Sequence, residues 1–220
     1  MSIDHQISVI IRPGKEREFF VFSVATLSIF FLYLCAIPVM RGFILKLGDS
    51  TLVSAAFFSV WSLATLVFLN FSDVPRPKFF AKINSWRDWH VFLAPTFVIV
   101  VCAISLKNQL NPQYFNLISA ESYSIFYALL YCAFVPVQEY IARGILLGAL
   151  LHYIEGRWRV MLSILISSVV YSGLHLYLGL HVSILVLIPG LCWSWMYYRS
   201  TSILLVSLSH ICCGLAFIYA

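Results

Sequence analysis

Apolar residues run along most of this chain in long unbroken stretches, and polar residues gather in the short intervals between them. The runs do not alternate with the period of two that marks a half-buried strand, and several approach the ~20 residues needed to cross a bilayer as a helix. Seven spanning helices are predicted, at Phe19–Met40, Thr51–Phe71, Trp89–Leu106, Tyr123–Leu151, Val160–Leu178, Val182–Tyr198 and Ser202–Ala220. The fourth is long enough to extend past the hydrocarbon, and Pro189-Gly190 predicts a kink in the sixth. The polar opening, residues 1–18, leads into the first run with no small-residue cleavage site, so that run reads as an anchor rather than a removed signal. The expected organisation is an N-terminal segment (1–18), a two-span front section (19–73), a loop containing Pro75 and Pro77 (74–88) and a five-span section (89–220). The fold class is therefore all-α, a polytopic transmembrane helix bundle.

Composition removes the soluble alternatives. The 220 residues are 61% hydrophobic and 10% charged, where a soluble domain carries roughly 25% charged residues. Lipid is thus the expected partner along the spans. The formal net charge of +5 is modest and points to loop charges that orient the protein, not to nucleic acid. Ten basic residues (Arg12, Lys15, Arg17, Arg76, Lys78, Lys82, Arg87, Arg157, Arg159 and Arg199) lie in the N-terminal segment and every second connection, against three (Arg41, Lys46 and Lys107) in the others. This asymmetry predicts a cytoplasmic N-terminus, in the inner membrane of a cell. The cysteines, Cys35, Cys102, Cys132, Cys192, Cys212 and Cys213, all sit in apolar runs and read as small hydrophobes.

Ionisable residues inside the spans are the informative exceptions, because each costs at least ~2.5 kcal/mol to insert. In Gln138-Glu139-Tyr140-Ile141-Ala142-Arg143-Gly144, Glu139 and Arg143 are four apart and share a helix face. His175 follows Tyr171 in the next span, and His210 precedes Gly214 in the last. Each alone reads most simply as a structural ion pair or a satisfied core histidine; together they point to one shared site at the centre of a bundle. His5, His90, His152 and His181 fall at or near span ends and are given no role. A buried carboxylate near neutral imidazoles can deprotonate water for attack on a peptide carbonyl, with an imidazole donating to the oxyanion. Zinc held by two histidines and a glutamate stays open on ligand type alone.

The order of these motifs, Gln138-Glu139 with Arg143, Tyr171 with His175, and His210 with Gly214, resembles the CPBP intramembrane proteases, also called the CAAX prenyl protease 2 or Abi family, over about residues 122–220. The stretch from Pro189 to Ser202 is similar to that family's penultimate helix and turn. The resemblance implies an endopeptidase that uses neither metal nor cofactor, in which a glutamate activates water against membrane-associated peptide substrates. Carried onto this chain, Glu139 is the base or orients it, Arg143 fixes the carboxylate, His175 positions water and His210 supports the oxyanion. Gln138, Tyr171 and Gly214 would have supporting places. Two positions depart from the family pattern: its first glutamate is Gln138 here, which cannot take a proton, and its final asparagine is Gly214, which removes a donor. A catalytically impaired relative that binds a membrane partner, as an immunity factor or scaffold, is the main alternative. A proton-coupled transporter is a third, disfavoured by the lack of repeated halves.

Overall fold

The structure, a computed structural model, describes residues 10–47, 73–80, 86–109 and 125–219. The predicted span Thr51–Phe71 lies outside the described residues. The other six spans are helices: α1 (Glu16–Leu47), α2 (Trp86–Gln109), α3 (Ile125–Glu139) running on as a π-helix (Tyr140–Leu147) and then α4 (Gly148–Tyr153), α5 (Arg159–Gly173), α6 (Leu180–Ser200) and α7 (Ile203–Tyr219). Helix α6 runs unbroken through Pro189-Gly190. The fifth predicted span reached Leu178, but its helix stops at Gly173; a turn carrying Leu174 and His175 follows, then a single 3-10 turn, Leu176–Leu178. Strands β1 (Ile10–Ile11) and β2 (Ile154–Glu155) pair antiparallel over two residues each, a clasp too short to alter the all-α class.

Among the described residues three stretches are long and apolar enough to cross a membrane, Glu16–Val39, Ala128–Tyr153 and Leu180–Ser200, with shorter apolar helices at Trp89–Ser105, Arg159–Gly173 and Ile203–Phe217. Large apolar side chains point outward along them, among them Phe20, Leu27, Phe31 and Leu32 on α1 and Phe97 on α2. In water such a surface would be an aggregation site; in hydrocarbon it is the favourable exterior. The chain is an integral membrane protein.

Small residues let the helices approach. Ser167 and Ser168 of α5 meet Ser194 of α6 at 3.3 and 2.9 Å, and Ser172 and Ser183 exchange hydroxyl-to-carbonyl hydrogen bonds of 2.6 and 2.7 Å. Lipid-surrounded helices associate through this kind of close backbone approach and interhelical hydrogen bonding. A Cβ at Gly173 would come within 2.6 Å of the Phe30 ring on α1, and one at Gly144 within 2.7 Å of Pro77.

The basic-rich connections converge on one face. Arg12 pairs with Glu155 at 2.8 Å, beside the β1–β2 clasp, and Lys15 reaches Glu18 at 2.9 Å and Asp73 at 2.6 Å. The carbonyls of Lys78 and Phe79 accept hydrogen bonds from the first two amides of α7, Ile203 (3.4 Å) and Leu204 (3.1 Å), groups that no helix can satisfy internally. The N-terminal segment, the 73–80 segment, the 154–159 connection and the start of α7 therefore share a side, as the alternation of basic residues requires. The hydrogen bond from Lys15 holds the Asp73 carboxyl below the usual carboxylate range, and Asp73 in turn raises the Lys15 ammonium.

Candidate functional site

The centre of the bundle is the passage from α3 into the π-helix. Every residue from Ile141 to Leu147 is buried, whichever way it points, so this segment is enclosed by its neighbours on all sides. A π-turn is rare and recurs at functional sites because it resets the facing of side chains within an otherwise regular helix. Glu139 is the last residue before it and Arg143 lies inside it. Both side chains are completely buried, with Arg143 Nε 3.3 Å from Glu139 Oε2.

The other carboxylate oxygen belongs to α7. Glu139 Oε1 is 2.8 Å from Nδ1 of His210, itself nearly buried. An ionised carboxylate only accepts, so Nδ1 carries the hydrogen and Nε2 presents a lone pair. The Tyr171 hydroxyl, 3.3 Å from Nε2, donates to it. Trp193 of α6 stacks on the His210 ring, centroids 4.2 Å apart and planes 26° from parallel. Its indole N–H donates to Ser209 Oγ at 3.1 Å, and the Thr96 hydroxyl of α2 donates to that same oxygen at 2.8 Å. The imidazole is thus held at both nitrogens and on one face.

Tyr171 joins the two histidines. While its hydroxyl meets His210, its backbone carbonyl accepts from His175 Nδ1 at 3.0 Å, and the Tyr171 and His175 rings stand edge to face, 5.0 Å apart. His175 is likewise left with a lone pair on Nε2, but it is only half-buried. The turn that carries it is pinned from α1, where the Tyr33 hydroxyl donates to the Leu174 carbonyl at 2.6 Å.

The Arg143 guanidinium lies 4.3 Å above the Tyr171 ring, a cation–π contact. Gly190 leaves room beside it, since a Cβ there would stand 3.7 Å from the terminal nitrogen Nη2. Among the described residues none of the three guanidinium nitrogens has a hydrogen-bond partner, and Glu139 Oε2 meets Nε at ion-pair distance only. Removing either charge from such a pair costs about 3–5 kcal/mol, because the survivor stays buried and uncompensated.

Four of the residues singled out by sequence, Glu139, Arg143, Tyr171 and His210, are therefore in mutual contact, and His175 adjoins them through Tyr171. Gln138 lines a small apolar crevice with Ile141, Ala142, Leu146, Val170, Leu174 and the Tyr171 of that cluster. Gly214 lies one turn beyond His210, and a Cβ there would overlap the Tyr131 hydroxyl. For zinc, Glu139 and His210 are adjacent, but among the described residues no three His, Cys, Asp or Glu are grouped to hold a metal ion. Sequence reasoning passed over Trp193, Ser209, Thr96 and Tyr131. Ser209 was the most findable, as a polar residue next to His210 in an apolar run; aromatics in apolar helices carry no such signal.

A bundle of apolar helices that seals a carboxylate, a guanidinium and an imidazole at its centre defines an intramembrane polar site. Residues 121–216, which include Glu139, Arg143, Tyr171, His175 and His210, match a family described as type II CAAX prenyl endopeptidase Rce1-like. The match covers somewhat less than half of the chain, and over this segment the chain is similar to the CPBP/CAAX protease family. Neither a curated protein nor a solved structure matches it.

Proposed function

We propose that the protein is an intramembrane endopeptidase of the CAAX type, hydrolysing peptide bonds of membrane-associated substrates. The observation that carries this reading is the 2.8 Å contact between Glu139 Oε1 and His210 Nδ1 in a buried setting. A carboxylate on one imidazole nitrogen fixes the tautomer and stabilises the imidazolium once the other nitrogen takes a proton. Glu139 then orients the base and is not the base itself. A water held between the Tyr171 oxygen and His175 Nε2 gives its proton to Tyr171 as Tyr171 passes its own to His210 Nε2. The hydroxide adds to the substrate carbonyl, and the proton returns along the same line to the departing amine nitrogen. Arg143 holds Glu139 in place. The site belongs to an inner-membrane protein whose basic face, with the N-terminus, lies in the cytoplasm.

Purified protein in liposomes, assayed on a membrane-anchored reporter peptide, tests the assignment. His210→Ala and His175→Ala are expected to lower turnover by roughly 10²–10⁴; turnover equal to wild type in both would sink it.

A second reading rests on Gln138, a neutral amide where the family pattern has a carboxylate, and on the engagement of both Glu139 oxygens by His210 and Arg143. In that reading the chain is an impaired relative that binds a membrane partner as an immunity factor or scaffold. It predicts no wild-type turnover, no activity regained in Gln138→Glu, and a partner that co-purifies equally with wild type and His210→Ala.

A further inference from the structure

The loss of a side chain at position 214 has a counterpart on another helix. Tyr131 of α3 sends its phenol across to α7, where the hydroxyl lies against Gly214 and donates a long hydrogen bond, 3.5 Å, to the His210 carbonyl oxygen. Its ring stands edge-on to the His210 imidazole, centroids 5.9 Å apart at 86°. The hydroxyl occupies the space that any side chain at position 214 would take first, because a Cβ built on Gly214 overlaps it. The phenol on α3 can take this place only because residue 214 on α7 has no side chain.

Position and chemistry both matter here. Residue 214 is one turn from residue 210 on the same face of α7, so the Tyr131 hydroxyl stands beside the imidazole, as a side chain from 214 would. Tyr131 is only half-buried, unlike Glu139, Arg143 and His210, and so lies between the buried dyad and the outside. A phenol is a good hydrogen-bond donor and carries no charge that must be inserted into hydrocarbon.

We infer that Tyr131 exchanges its long hydrogen bond to the His210 carbonyl for one to the carbonyl oxygen of the substrate peptide bond, acting from the space it fills beside Gly214. This rests on the peptide-hydrolysing reading of the same site. The ligand class is a peptide amide delivered from the membrane, its carbonyl directed toward α3 and its opposite face toward Tyr171 and His175.

Two measurements on the full chain test the assignment. The first is turnover of the membrane-anchored reporter peptide. Tyr131→Phe, which keeps the ring and removes only the hydroxyl, is expected to lower kcat by about 10²-fold, the loss typical of one oxyanion donor, with KM little changed. Tyr131→Ala/Gly214→Asn is expected to regain part of that loss, because the amide enters the vacated space. The second is the infrared carbonyl stretch of the same peptide carrying 13C at the scissile amide. Bound to wild type it is expected at lower frequency than in solution, and bound to Tyr131→Phe it is expected to move back. A wild-type protein that shifts the stretch but never cleaves the peptide, with the shift lost in Tyr131→Phe, defeats the protease reading while upholding Tyr131 as the carbonyl donor. Wild-type kcat in Tyr131→Phe, a shift unchanged by that substitution, or no shift in wild type overturns the inference.

Discussion

Two spans of this protein are long, apolar and built from similar residues, yet they live in different surroundings. In α1, the window Glu16–Val39 has a mean hydropathy of 2.4 and is 11% buried by protein; Ala128–Tyr153, through the π-helix, has a mean hydropathy of 1.3 and is 61% buried. The greasier helix is the outer one. In a bilayer lipid is as apolar as any core, so hydrophobicity does not decide which helix is central. What decides it is the pair Glu139 and Arg143, which must be surrounded, together with small residues such as Ala142 and Gly144 that let neighbours close in.

The contrast is most strongly tested at the buried pair. Glu139→Ala should destabilise the protein by about 3–5 kcal/mol, since Arg143 is left without a counter-charge. Denaturation in mixed micelles measures this. The double change Glu139→Leu/Arg143→Leu should recover much of that stability while leaving turnover abolished; a double variant as unstable as the single one would show that the charges do more than neutralise each other. Next in size is the contact between the outer helix and the bundle. Gly173→Ala should cost about 1–3 kcal/mol by pressing on Phe30, whereas Gly148→Ala, where a Cβ meets nothing within 4 Å, should be neutral or gain up to about 1 kcal/mol of helix propensity. Equal effects at the two glycines would mean that α1 is not seated where Gly173 requires.

The smallest effect belongs to the exposed tie between α1 and the 73–80 segment. The Asp73 carboxyl is held below its ordinary range by Lys15, so its contribution is present above the unfolded value, about 4, and fades as pH falls through the lower folded value. The Lys15 ammonium is raised, so its contribution is complete below about pH 10 and is lost as pH climbs past the folded value. Thermal unfolding of wild type and Asp73→Asn should therefore differ slightly near neutrality and merge in strong acid. A gap that persists at pH 2 would contradict the assignment. Raised salt should also shrink it.

The helical class and most span positions were legible because unbroken apolar runs leave a chain few options in hydrocarbon. The polar cluster was legible for the same reason: Glu139, Arg143, His175 and His210 are conspicuous against apolar neighbours. The geometry within the cluster was not. Four-residue spacing foretold that Glu139 meets Arg143, but nothing in it foretold that His210 takes the second oxygen, or that Tyr171 serves both histidines through different atoms. The π-helix has no pattern of its own at Tyr140–Leu147, since buried segments lack the amphipathic stripe that reports their winding. The end of α5 at Gly173 was missed because Leu174, Leu176 and Leu178 continue the apolar run through a turn held by tertiary contacts from Tyr33 and Ser183. Tyr131 stayed hidden because its meaning depends on Gly214, more than eighty residues away.

The clamp on α7 has a consequence for biosynthesis. The carbonyls of Lys78 and Phe79 that receive its first amides leave the ribosome long before α7 does, as do Glu139 and Arg143. Until the helix bearing His210 enters the membrane, the nascent bundle exposes an open berth flanked by an ion pair lacking its imidazole. Its polar centre is thus a feature that a membrane chaperone or quality-control protease could read, and docking of α7 erases that mark in the same step that completes the dyad.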